Sequence, residues 1–246
     1  MLVAAAVCPC PPLLVPAVAG GAAPEMDAAR AACADALGVL AAARPDRLVV
    51  VGPAGQDGRG PHPQGATGSF RGFGVDVDVV LGAAGSEESP APDAGERPAR
   101  ELPASLAVGA WLLELVHWSA APVTGLGVGE PLAAERCIHA GQEIARRSDR
   151  VALLVMGDAS ACRTLKAPGY LDERAAGFDE EVARALKSAD VAALKALDAE
   201  LAYELKAAGR APWQVLAGAA EEAGLSGELL YEDAPYGVGY LVAAWS

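Results

Sequence analysis

The stretch MLVAAAVCPCPPLL, residues 1–14, decides the interpretation of the rest of the chain. Its apolar run, residues 2–7, ends abruptly at Cys8-Pro9-Cys10-Pro11-Pro12. Proline lacks an N–H and fixes φ, so closely spaced prolines cannot continue a sheet ladder. The run therefore predicts a short buried strand whose carboxyl end opens into a rigid loop. Because ligands of open α/β sheets bind just outside the carboxyl ends of strands, this thiol-bearing loop is a candidate binding region.

Other predicted strands end in the same way. Residues 47–51 (RLVVV) form an apolar run that Gly52-Pro53-Ala54-Gly55 ends, and residues 151–156 (VALLVM) precede a loop from Gly157 to Arg163. Strands near 228–231 and 238–244 surround Glu232-Asp233. Near-continuous apolar strands alternating with helical patterns are typical of parallel sheets covered on both faces. We therefore predict an α/β fold, a single domain over residues 1–246, with a largely parallel or mixed sheet and central strands 2–7, 48–51 and 151–156.

The remaining segments predict mainly helices. Apolar residues at helical spacing, prolines in first turns and charges suited to the helix dipole indicate helices over residues 24–43, 103–118, 131–147, 171–187, 190–208 and 212–223. Asp190 and Asp198 suggest that the fifth of these is one or two capped helices. Residues 123–128 and the alternating segment 75–79 predict strands. The Gly- and Pro-rich segment 52–74 predicts a long loop, and residues 82–100 predict an exposed, poorly ordered connection.

Composition limits the kinds of partner and location. Of 246 residues, 52% are hydrophobic and 21% charged, which is typical of a globular chain. A net charge of −13 argues against nucleic acid and anionic membranes as partners. The uncharged N-terminal stretch contains five prolines and lacks the basic start of a signal peptide, so we expect neither a membrane helix nor a secretion signal. Five scattered cysteines favour free thiols, and hence a cytoplasmic location.

Four motifs occur in an order that resembles one family. They are Cys8-Pro9-Cys10-Pro11-Pro12, Gly52-Pro53-Ala54, the loop 157–164 (GDASACRT) followed by Phe178-Asp179, and Val238-Gly239-Tyr240. Together they resemble the class III extradiol ring-cleavage dioxygenase superfamily, which includes the Memo-like proteins. The similarity spans nearly the whole chain and implies the α/β scaffold of that superfamily.

The resemblance also implies an iron site that this chain has lost. The family's dioxygenases hold Fe(II) with two histidines and one glutamate, and a further histidine acts on the substrate. Position by position, the histidine ligands correspond to Cys10 and Ala54, the acid/base histidine to Arg163, and the glutamate to Glu232. We therefore expect no metal cofactor and no ring cleavage. The expected role is binding of a small, anionic ligand or of a protein partner at the strand ends, in a chain that could form homo-oligomers.

The alternative is a metal-dependent oxidoreductase or dioxygenase with a rearranged site. Its ligands would be Cys10 and Glu232 with His62 or Cys162, holding Fe, Cu or Zn; thiolates favour Cu(I) or Zn. A metal-binding histidine needs support from neighbouring groups, and His62 lies between prolines in a predicted loop, so a solvated side chain is the simpler interpretation. Likewise Cys8 and Cys10 could form a metal or redox pair, but two buried thiols are the simpler expectation.

Arg163 leaves two interpretations open. Arginine stays protonated, so it cannot act as a general base near neutral pH, but it can hold a carboxylate or phosphate through two hydrogen bonds. Asp158 and Lys166 share its loop. Alternatively, Arg163 forms a structural ion pair with Asp158 or Glu232. The candidate pocket residues are Cys10, Ala54, Asp158, Arg163, Lys166 and Glu232.

Overall fold

The computed structural model describes residues 1–82 and 100–246, so most of the predicted connection 82–100 lies outside the described residues. The described strands are β1 (Leu2–Cys8), β2 (Arg47–Pro53), β3 (Gly60–His62), β4 (Thr67–Ser69), β5 (Asp78–Val80), β6 (Val123–Val128), β7 (Val151–Met156), β8 (Gly227–Asp233) and β9 (Tyr240–Trp245). The described α-helices are α1 (Pro16–Ala19), α2 (Asp27–Ala42), α3 (Ala104–Leu115), α4 (Ala134–Arg146), α5 (Arg174–Lys187), α6 (Val191–Lys195), α7 (Ala199–Glu204) and α8 (Arg210–Ala220).

Seven strands form a mixed sheet in the order β3-β6-β2-β7-β1-β9-β8. The four strands β6, β2, β7 and β1 run parallel, and β3, β9 and β8 are antiparallel to their neighbours. Strands β2, β7 and β1 lie in the middle, as their unbroken apolar sequences predicted. Their carboxyl ends therefore meet at one edge of the sheet.

Two hydrophobic clusters cover the two faces of this sheet. On one face, which we call the α8 face, residues of α4, α5 and α8 pack on alternate residues of the central strands, such as Val49 and Leu153. On the other, the α3 face, residues of α2 and α3 pack on the intervening residues, such as Val50 and Leu154. The alternation follows from the two-residue period of a strand. The predicted α/β class, with a mixed sheet and helices on both faces, is confirmed.

Local signals placed most helices well. Helices are found at all the predicted places, and segment 190–208 forms two, α6 and α7. The carboxylate of Asp190 accepts the N–H of Ala193, and that of Asp198 accepts the N–H groups of Glu200 and Leu201, so both predicted caps are confirmed.

Three local expectations were wrong in detail. The helix expected from residue 24 begins at Asp27, because a 3₁₀ helix, Gly20–Met26, contains Pro24. The segment predicted as a long loop contains β3, which pairs with the distant strand β6, and β4, which pairs with the next strand, β5. The strand expected over 75–79 is β5, displaced toward Val80, where β4 supplies its hydrogen bonds. None of the described helices is long and apolar enough to span a membrane.

Candidate functional site

Backbone hydrogen bonds join the carboxyl ends of β1 and β7 to the start of β9. The N–H of Gly157 donates to Cys8 O (3.0 Å), and the N–H of Ala159 donates to Gly239 O (2.8 Å). Gly239 in turn donates its N–H to Ser160 O (2.8 Å). These bonds hold the loop after β7 between the loop after β1 and the turn before β9. Three segments far apart in sequence therefore lie together at the carboxyl end of the parallel strands.

Asp158 is the central acidic group of this edge. Its Oδ1 accepts the backbone N–H of Cys10 at 2.8 Å. Burial raises the pKa of the Asp158 carboxyl from 3.8 to about 6, although hydrogen bonds from the Cys10 N–H and thiol oppose the increase. The residue as a whole is nevertheless only half-buried. Asp158 therefore gains and loses its proton close to neutral pH, unlike an ordinary carboxylate.

Cys10 and Tyr240 surround Asp158 on the α3 face of the sheet. Burial, followed by the charge of Asp158, raises the pKa of the Cys10 thiol well above its ordinary value. The same two causes, in the same order, raise the pKa of Tyr240, whose side chain is also buried. Both groups therefore stay protonated at neutral pH. Cys10 acts here as a hydrogen-bond donor to Asp158.

Arg163 pairs with Asp179 of α5, not with Asp158 or Glu232. Its Nη1 lies 3.0 Å from Asp179 Oδ2, which also accepts the hydroxyl of Ser160 at 2.9 Å. Oδ1 of Asp179 accepts the Ser160 N–H at 2.8 Å. Burial raises the pKa of Asp179, and these hydrogen bonds and the charge of Arg163 oppose the increase. The ion-pair interpretation of Arg163 was right in kind, but the expected partners were wrong.

The pair leaves part of Arg163 accessible. The Asp179 side chain is 2% exposed and the Arg163 side chain 30%. Asp179 therefore orients the guanidinium through one nitrogen, and the Arg163 side chain as a whole stays partly exposed. We call Cys10, Asp158 and Tyr240 on the α3 face, together with Arg163 farther along the loop of Asp158, the strand-end site.

The other three candidates do not join this site. Ala54 follows β2, and its N–H donates to Val128 O at 2.8 Å. Since β7 separates β2 from β1, the ends of β1 and β2 are about 10 Å apart. Lys166 is exposed on the loop after β7. Glu232 is exposed and lies opposite Leu241, so its side chain is on the α8 face, away from Cys10 and Tyr240.

The residues present do not fit an iron centre or the rearranged metal site. His62 lies on β3 and Glu232 on β8, the two edges of the sheet, about 29 Å apart at ordinary strand spacing. The Sγ of Cys162 donates to Leu205 O at 3.4 Å, within the cluster on the α8 face. Across residues 1–82 and 100–246, no group of three or more His, Cys, Asp or Glu side chains could hold a metal ion.

Two expectations about single residues have separate outcomes. His62 is 2% exposed and its Nε2 lies 2.9 Å from Gly58 O, so the expected solvated side chain was wrong. All five cysteines are free and buried, which confirms buried thiols. Cys8 hydrogen-bonds with Cys33 of α2 while Cys10 hydrogen-bonds with Asp158, so Cys8 and Cys10 do not act on a common group.

Sequence reasoning did not place Asp179 or Tyr240 among the candidates. Both stood in quoted motifs, Phe178-Asp179 and Val238-Gly239-Tyr240, which were used only to assign the fold. A side chain at Gly239 would overlap the Asp179 carboxylate, so the glycine permits the close approach of the two motifs. The sequence signal that could have identified Asp179 is that it is an acidic residue within the otherwise apolar face of α5.

Comparison with known proteins identifies a fold and no family. No family model and no curated protein matches the chain. The crystal structure of the uncharacterized protein JW3007 from Escherichia coli K12 is similar over 99% of this chain and 99% of that chain. The TM-score is 0.52 and the sequence identity 15%, so this likeness shows a shared fold and nothing about activity.

Proposed function

We propose that this chain is a divergent relative of the class III extradiol dioxygenases that lacks the iron site and binds a small carboxylic acid at the strand-end site. The observation that supports this most directly is Asp158, whose pKa is raised to about 6 by burial at the carboxyl end of β7. Strongly perturbed carboxyl groups at strand ends are typical of functional sites. In a chain with net charge −13, an acid also needs a local cation, and Arg163 shares the loop of Asp158.

Arg163 supplies the attraction for the acid. Its guanidinium is held at Nη1 by Asp179, and its exposed part can donate parallel hydrogen bonds to the two oxygens of a carboxylate. Because Asp179 fixes the side chain, less side-chain entropy is lost when the ligand binds. Lysine would offer the charge without this planar geometry.

Asp158 makes binding dependent on pH. When protonated, its carboxyl can donate a hydrogen bond to an oxygen of the ligand; when ionised, it repels an anion. Since its pKa is about 6, acids that remain ionised between pH 5 and 8 are expected to bind more tightly at pH 5 than at pH 8.

Ring cleavage does not fit these residues. Ala54 offers no donor atom, and Arg163 cannot take a proton from a catechol at neutral pH. Cys10 is a protonated donor to Asp158. Under this proposal, the protein keeps the scaffold of the family and a binding site at its strand ends but does not carry out the oxygen chemistry of the family.

A thermal-shift screen of small mono- and dicarboxylic acids at pH 5.5 tests the proposal. A true ligand at 100 times its dissociation constant adds about 2.7 kcal/mol to the free energy of unfolding. Arg163→Gln should remove this shift, measured against the unliganded variant. Lys166→Gln is the matched control, because it removes the same charge from an exposed position of the same loop. A shift that survives Arg163→Gln, or no acid that stabilises the protein, would contradict the proposal.

A further inference from the structure

A groove far from the strand-end site lies between β6 and α4 on the α8 face. One cavity of about 590 Å³ is lined by Val49, Leu126, Ala140 and Ile144 among others. A second, of about 360 Å³, shares Leu126 and Ala140 with the first and continues past Val128. We call the two together the β6–α4 groove. Its volume is in the range of small-molecule sites, and these side chains make its floor and helical wall apolar.

Helix packing explains why this groove is open. α4 packs on α8, and α8 packs on β2, β7 and β1, the middle of the sheet. A side chain at Gly141 of α4 would overlap Val215 O, and one at Gly218 of α8 would overlap Ile138 O. These two glycines let the helices approach closely, so α4 leans toward α8 and leaves Thr124 and Leu126 of β6 partly exposed. The groove thus follows from the packing of regular elements, not from a loose surface loop.

Strand β6 gives the groove its floor and its length. On β6, Gly125 and Gly127 face the α3 side, where a Cβ would meet Leu106 or Ala54. By the two-residue period, Thr124, Leu126 and Val128 face the groove. From Thr124 to Gly129, one residue past the end of β6, the extended backbone spans about 16 Å, long enough for an extended aliphatic chain.

Two arginines without partners stand at one end of the groove. Arg47 at the start of β2 and Arg147 after α4 both line the larger cavity and are exposed. Within residues 1–82 and 100–246, neither guanidinium has a hydrogen-bond or ion-pair partner. The acid in that lining, Glu143, is paired with Arg146 at 2.9 Å. Two uncompensated positive charges at the end of an apolar groove are complementary to an anionic head group.

We propose that the β6–α4 groove binds an aliphatic carboxylate, with its hydrocarbon chain over Leu126 and its carboxylate between Arg47 and Arg147. Burial of the chain against Val49, Leu126 and Ile144 supplies the affinity. The two guanidinium groups supply the preference for an acid over a neutral molecule of the same length. This site is separate from the strand-end site and does not depend on its ligand.

Calorimetric titration of the full chain with decanoate, decanol and acetate is the experiment. Decanoate should bind, decanol should bind more weakly, and acetate should not bind at this groove. The double variant Arg47→Gln/Arg147→Gln should weaken decanoate by roughly tenfold, as expected for two partly exposed ion pairs. Its control, Arg44→Gln/Lys187→Gln, removes the same net charge outside the groove and should leave binding unchanged.

A second variant fills the groove without removing charge. Ala140→Trp places an indole over Leu126 and should abolish decanoate binding, while His139→Trp, on an exposed position next to it, should not. Circular dichroism checks that both fold. The proposal is overturned if decanoate does not bind, if decanol binds equally well, or if Ala140→Trp binds decanoate as tightly as the original chain. Binding to anionic lipid vesicles without binding to free decanoate would also overturn it.

Discussion

Replacing Asp158 by asparagine should change how stability depends on pH. The carboxyl is buried beside Cys10 and Tyr240, and its pKa is raised from 3.8 to about 6. The folded state therefore binds this proton more tightly than the unfolded state does. The stability contributed by the group is fully present below pH 3.8 and is lost as the pH rises through about 6. Asparagine keeps an oxygen that can accept the Cys10 N–H but has no charge to bury.

The size of the effect follows from the two pKa values. At 1.36 kcal/mol for each pH unit, a change from 3.8 to about 6 corresponds to about 3 kcal/mol. Because Asp158 is only half-buried as a residue, solvent screening makes this an upper limit. The free energy of unfolding of Asp158→Asn, minus that of the original chain, should rise by up to about 3 kcal/mol from pH 4 to pH 7.5.

Urea denaturation of both proteins at half-unit pH steps measures this difference. Taking the difference removes the contributions of the other carboxylates, which both proteins share. Asp35→Asn is the matched control, because it removes the same charge from an exposed position on α2. A flat difference for Asp158→Asn, or a rise complete by pH 4.5, would refute the burial argument.

Three further outcomes are expected. Asp179→Ala should lower the free energy of unfolding by about 2–4 kcal/mol in urea denaturation, because it leaves the buried N–H of Ser160 without an acceptor. Its control, Glu180→Ala, changes the neighbouring exposed residue and should lower the free energy of unfolding much less. Gly218→Ala should lower the thermal midpoint because its Cβ overlaps a carbonyl of α4, with an expected cost of about 1–3 kcal/mol. The control Gly177→Ala, where a Cβ meets open space, should be neutral or stabilising by up to about 1 kcal/mol, and the opposite order would contradict the packing argument. Finally, after anaerobic loading with Fe(II) and removal of excess metal, oxygen uptake with protocatechuate should stay at background; turnover to a ring-opened product would show that an active site had been missed.

The sequence alone predicted most of the helices and the middle of the sheet. A short apolar run of β-branched and aliphatic residues such as 151–156 is typical of a strand buried on both faces, and its central place in the sheet followed from that composition. The caps at Asp190 and Asp198 were equally local, since an N-cap bonds within three residues of itself. The sequence also predicted that the loops after these strands lie together, because parallel strands have their carboxyl ends on the same side of the sheet.

Tertiary structure decided which side chains meet at that edge. Arg163 and Asp179 lie on a loop and on a helix, and only their packing shows that they pair and leave Asp158 and Glu232 aside. The face occupied by Glu232 depends on its register with Leu241, because a shift of one residue would turn it to the other side of the sheet. Neither the sequence of β6 nor that of α4 predicted the β6–α4 groove, because the groove results from the position of α4 against α8. Contacts between residues far apart in sequence depend on how helices and strands are placed relative to one another, and local sequence patterns do not specify that placement.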